Sequence, residues 1–105
     1  MRRAARTDDN QAEIVAALRA AGCTVQPLHM VGRGCPDIMC GRAGRIYLME
    51  IKDGTKPPSA RQLTADERAW HDLWAEQQRA GLVVVVESVA DALAAVGATK
   101  RREAA

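Results

Sequence analysis

Phenylalanine is missing from this 105-residue chain, and two Trp and one Tyr are its only aromatic residues. A core built on large rings is therefore excluded, and the 48% apolar content, rich in Ala and Val, must do the packing. Cysteine is scarce and odd in number, at three, which excludes a disulfide scaffold and fits reduced thiols. No apolar run approaches the roughly 20 residues of a membrane span, and Met1-Arg2-Arg3 leads into a polar, helix-forming segment rather than a secretion signal. A cytoplasmic protein without membrane contact is expected. Net charge is only +2, so no global excess identifies a polyanionic partner. The basic residues gather locally, at Arg2, Arg3 and Arg6, at Arg33, Arg42 and Arg45, at Lys56 and Arg61, and at Lys100 to Arg102.

A chain of this length makes one domain that buries roughly 65% of its unfolded surface. Its core is expected over about residues 9–96, between charged, frayed ends at 1–7 and 99–105. Asp8 or Asp9 caps a helix running to Ala21, with Ile14, Val15 and Leu18 as its apolar stripe and Gly22 as its stop. Val25 to Met30 reads as a short strand weakened by Pro27. The loop 31–36 follows, and then two strands, Ile38-Met39-Cys40 and Arg45 to Lys52, turned antiparallel by Gly41-Arg42-Ala43-Gly44. After the polar loop 53–59, Thr64-Ala-Asp-Glu67 reads as a capping box. The helix it opens turns Trp70, Leu73 and Trp74 inward and stops at Gly81. Leu82 to Val86 reads as a strand buried on both faces, and Ser88 to Asp91 caps a last helix carrying Val89, Leu93 and Val96. The expected fold is α/β (α+β), in the order αβββαβα, with a mixed sheet flanked by helices and the Val-rich strand parallel to the third.

Chemistry concentrates at Pro36-Asp37 and Glu50-Ile51-Lys52. Side chains alternate along a strand, so Glu50 and Lys52 share a face with Ile46 and Leu48. In the hairpin the start of one strand lies beside the end of the next, which brings Asp37 to them. Two carboxylates, with the backbone carbonyl of Ile51, suit a hard cation such as Mg²⁺, for which Mn²⁺ substitutes. Lys52 would neutralise charge developing on a phosphate or orient a water. The expected activity is metal-dependent cleavage of a phosphodiester. Against it stands the plain alternative of a turn dipeptide and a solvated ion pair worth ~0–1 kcal/mol. Cys23, His29, Cys35 and Cys40 offer a rival zinc set, but no Cys-x-x-Cys knuckle is present and small buried hydrophobes are the expected role.

The order of elements and the two motifs resemble the PD-(D/E)xK nuclease superfamily. Gly32-Arg-Gly-Cys-Pro-Asp37, the Glu50-Ile-Lys52 strand and Leu63-Thr-Ala-Asp-Glu67 are similar to its virus-type replication-repair nuclease (VRR-NUC) domains, and the spacing also resembles Holliday-junction resolvases. The resemblance covers about Asp9 to Val96. It implies a restriction-endonuclease-like core, Asp37 and Glu50 as metal ligands, Lys52 as the catalytic lysine, and branched DNA such as junctions or flaps as substrate in bacterial or phage replication, repair or recombination. It also implies a homodimer. Where such nucleases place a first-helix glutamate, this chain has Gln11, with Glu13 two residues on, and where they often carry Gln it has Glu67. Gln11 instead completing the cap from Asp8 is the competing role. Arg33, Gly34, Arg42, Lys56 and Arg61 are the candidate nucleic-acid contacts, the cations for phosphates and Gly34 for close backbone approach. A nuclease-fold DNA-binding or assembly module without catalysis is the alternative.

Overall fold

The computed structural model describes residues 9–77 and 83–98. Helix α1 spans Gln11–Ala20 and buries Ile14, Val15 and Leu18 at helical spacing. Its N-cap is Asn10, not Asp8 or Asp9, and makes no side-chain cap bond; its Oδ1 is buried without a partner, while its amide nitrogen donates to the Lys52 and Glu87 carbonyls. Gly22, at φ +93°, ends the helix in a Schellman turn, with the Cys23 N–H donating to the Leu18 carbonyl and the Gly22 N–H to that of Arg19.

Strand β1, Thr24–Pro27, stops earlier than the expected Met30, and its proline lies on the outermost strand, where a missing donor costs least. Strands β2 (Ile38–Arg42) and β3 (Arg45–Ile51) form the expected hairpin. Its turn is narrower than read, since pairing runs through Gly41 and Arg42 and only Ala43 and Gly44 are left, at φ 52° and 83°. Two consecutive positive φ values make the tight turn whose twist suits a hairpin. Helix α2, Ala65–Ala75, then crosses to β4, Val83–Val86, which lies parallel to β3 and completes a four-stranded sheet in the order β1-β2-β3-β4. Helix α3 spans Val89–Ala95 from a Ser88 cap. The fold is thus α+β with a mixed sheet flanked by three helices. No helix among the described residues is long and apolar enough to cross a membrane.

Helices α1 and α3 pack against each other and onto one face of the sheet. Ile14, Leu18, Ile38, Cys40, Met49, Ile51, Val86 and Ala92 form that core, each large aliphatic side chain contributing roughly 1.5–3 kcal/mol of burial. Two expectations fail against it. β4 is not buried on both faces: Val86 is buried but Val85 is 42% exposed, because β4 is an edge and the two packed helices cover one face only. Nor does α2 turn Leu73 and Trp74 inward; they are 61% and 45% exposed, and no residue of α2 is buried. The helix engages the fold through its first turn, where Gly34 lies so close to the Asp66 carbonyl that a Cβ would overlap it. Trp70 stacks on Trp74 with centroids 5.1 Å apart rather than entering the core. Gly81, Leu82 and the arginines and lysine of both ends lie outside the described residues.

Candidate active site

Asp37, Glu50 and Lys52 meet at one end of the hairpin. The Asp37 backbone pairs with Met49 and with Leu28, which fixes it beside the end of β3, and its Oδ2 accepts a 2.7 Å hydrogen bond from the Ile51 N–H. Pro36, fully buried, delivers the chain into β2 at that point. Alternation along β3 puts Met49 and Ile51 into the core and Glu50 on the opposite face, yet Glu50 is only 2% exposed.

That burial governs its charge. Desolvation, then the negative charge and shared hydrogen bond of Asp37, then the charge of Glu67, push the Glu50 carboxyl up to about 10, with Lys52 opposing them. The site therefore favours the protonated form of this carboxyl. Its Oε1 is buried without a hydrogen-bond partner. Such an atom is costly unless something fills the gap.

Helix α2 closes the site from above. Its capping box is as expected, with the Thr64 hydroxyl accepting from the Glu67 N–H and the Glu67 carboxylate accepting from the Thr64 N–H. The same Glu67 Oε1 takes a 2.8 Å hydrogen bond from Lys52 Nζ, which lies 3.9 Å from Glu50 Oε2. Burial raises the Glu67 carboxyl, but hydrogen bonds from Lys52 and Thr64 together with the Lys52 charge outweigh it and leave the group below its ordinary value. One turn on, His71 Nε2 is buried, partnerless and 3.9 Å from Glu50 Oε1. Burial lowers its pKa, so the ring is neutral at pH 7. Sequence reasoning did not select His71, although its place four residues after Glu67 puts both on one helical face.

Gln11 is buried where α1 meets this end of the sheet, its amide 3.4 Å from His29 Nδ1 and its Oε1 without a partner. Because the helix starts at Asn10, Gln11 does not serve a cap from Asp8. Glu13 is exposed instead, and with Asp9, Asp53 and Glu87 it lines a recess of about 250 Å³ whose charge opposes the approach of a phosphate chain. Cys35 is half-buried, its thiol pushed up by desolvation and then by Glu50 and Asp37, whereas Cys23 and Cys40 lie in the core.

The five proposed nucleic-acid contacts are dispersed. Arg33 is exposed, at φ 57°, on the loop beside Asp37, and Gly34 packs on α2. Lys56 is exposed; Arg61 donates to its carbonyl and pairs with Glu87 at 3.1 Å, pinning the 53–61 loop to the end of β4. Arg42 is not brought to the site. It sits at the hairpin turn, roughly 17 Å along β2 from Asp37, and its guanidinium donates to the Val96 and Gly97 carbonyls at the end of α3.

A divalent cation fits this donor set. Two adjacent carboxyl groups, one with a partnerless buried oxygen, supply the hard ligands that Mg²⁺ or Mn²⁺ prefers, and the backbone carbonyl of Ile51 is the further oxygen named from sequence. Among the described residues no three His, Cys, Asp or Glu side chains form a ready-made cage. An ion that keeps several waters and takes a substrate phosphate does not require one. No protein-family model, curated protein or solved structure matches this chain.

Proposed function

We propose that this chain is a Mg²⁺- or Mn²⁺-dependent endodeoxyribonuclease acting on branched DNA, with Asp37 and Glu50 as metal ligands and Lys52 as the catalytic cation. The observation that carries this reading is the buried, partnerless Glu50 Oε1 beside Asp37, an acceptor that costs free energy while nothing fills the gap. A bound ion would neutralise charge on a phosphate and lower the pKa of a water.

The remaining chemistry belongs to the chain. The Ile51 N–H holds the Asp37 carboxylate in one orientation, so its free oxygen needs no reorganisation. A cation held beside Asp37 would favour the ionised form of Glu50, whose proton would pass to solvent. Lys52, nearly buried, presents its ammonium to the non-bridging oxygens as charge accumulates in the transition state. Arg33 and Lys56, both exposed, steer the backbone toward that point. Paired cuts across a junction would require two copies of the chain related by a two-fold axis.

Labelled junction, flap, duplex and single-stranded DNAs incubated with Mg²⁺ test the reading, with Asp37→Ala and Lys52→Ala as controls. Cleavage that needs metal and both side chains is expected. One observation favours a second reading: Gln11 is buried and uncharged where a further carboxylate is expected, which suits a module that binds DNA without cutting it. Salt-sensitive binding with no cleavage of any substrate would select that module.

A further inference from the structure

Among the described residues Glu67 and Glu50 both lie close to Lys52, and the shorter contact is to Glu67. Glu67 Oε1 lies 2.8 Å from Nζ and Glu50 Oε2 lies 3.9 Å away, so the hydrogen bond goes to Glu67. An ammonium paired with Glu50 would occupy the carboxylate that a cation needs. Glu67 is placed for this by its second task, because the oxygen that holds Lys52 also accepts from the Thr64 N–H at 2.9 Å. The cap thereby fixes the carboxylate's position before any substrate arrives, and the side chains lie in a site with little water, at 10% exposure for Lys52 and 19% for Glu67.

The geometry points to Glu67 as the positioning residue of Lys52: it draws the ammonium off Glu50 and so keeps Glu50 open to a divalent cation. The inference rests on the metal-dependent reading above for its consequence, though not for the anchor itself. Helix α2 thus does more than cover the site. Its first turn holds the Lys52 ammonium at Glu67 and leaves Glu50 and Asp37 as the pair that would take a cation.

Glu67→Gln separates the two tasks, because glutamine also closes a capping box while carrying no charge. Mn²⁺ affinity measured by titration calorimetry on wild type, Glu67→Gln, Lys52→Met and the double variant forms a cycle. Glu67→Gln is expected to weaken Mn²⁺ binding about tenfold when Lys52 is present and less than about threefold when it is methionine. Thr64→Ala, which breaks the cap but spares the ion pair, is expected to lower stability while binding Mn²⁺ like wild type. In metal-free protein the ¹⁵N resonance of the Lys52 ammonium is expected to be sharp in wild type and to shift in Glu67→Gln as the ammonium moves to Glu50. Equal Mn²⁺ losses in both backgrounds, or unchanged affinity in Glu67→Gln, would overturn the proposal. So would a Lys52 resonance indifferent to Glu67. Wild type that takes up no Mn²⁺ would sink the nuclease reading together with the metal consequence, and the resonance alone would then decide the anchor.

Discussion

The two faces of the sheet are buried by different means. On the face under α1 and α3, Ile38, Cys40, Met49 and Ile51 are closed off by apolar side chains from both helices. On the other face, exposure falls along a single strand, from 65% at Ile46 near the hairpin turn to 2% at Glu50. Around Glu50 stand Asp37, Lys52, Glu67 and His71, the last two carried by α2, whose first turn is held at Gly34 and brings Glu67 to Lys52. One face therefore carries the stability of the fold, and the other concentrates charge at one end, with Val85 exposed on the edge strand beside Glu50 and Met39 and Ile46 open farther along. A protein can tolerate a buried, unsatisfied carboxyl on the second face because the first supplies the free energy.

The sharpest way to break this division is at Glu50. Glu50→Gln should abolish cleavage, by a thousandfold or more on the scale of losing a key electrostatic group, yet stabilise the metal-free protein at alkaline pH. The sign follows from its titration. A carboxyl raised from 4.5 when unfolded to about 10 when folded contributes stability that is complete below pH 4.5 and is lost as pH rises through 10. Metal-free wild type should thus melt lower at pH 9 than at pH 6, by about 5 °C or more. Glu50→Gln should flatten that slope, and differential scanning calorimetry at the two pH values checks it. A wild-type melting temperature that rises with pH would contradict the assignment.

Next in size is the contrast between faces. Leu18→Ala, on the covered side, should cost about 2–5 kcal/mol, and Ile46→Thr, on the open side, less than about 0.5 kcal/mol. Urea unfolding of both variants measures the difference; comparable losses would mean that the open face is covered in solution. The smallest effect belongs to the seam between them. Thr64→Ala should cost about 1 kcal/mol of stability through the lost cap, and thermal melts at one pH are sufficient to read it.

Much of this was legible beforehand where the signal is local. Alternation along 45–52 placed Glu50 and Lys52 together, the helical spacing of Ile14, Val15 and Leu18 marked a buried face, and Thr64 with Glu67 marked a cap. The failures are also instructive. Trp70, Leu73 and Trp74 have the spacing of a buried stripe, but spacing says only that residues share a face and not that another element covers it. A run of valines reads alike on a central strand and on an edge with one face packed. Arg42 reads as a phosphate contact from charge alone, whereas the structure engages it at the end of α3.

The amino-acid order alone determined the elements, their succession, and the convergence of Asp37, Glu50 and Lys52, because backbone periodicity and a two-residue turn act over short separations. Only the tertiary structure decided that Glu67 holds Lys52, that His71 faces Glu50, and that one side of the sheet stays open. Those outcomes depend on how α2 docks through its first turn, and docking of one element on another is set by packing across the fold, which no local repeat encodes.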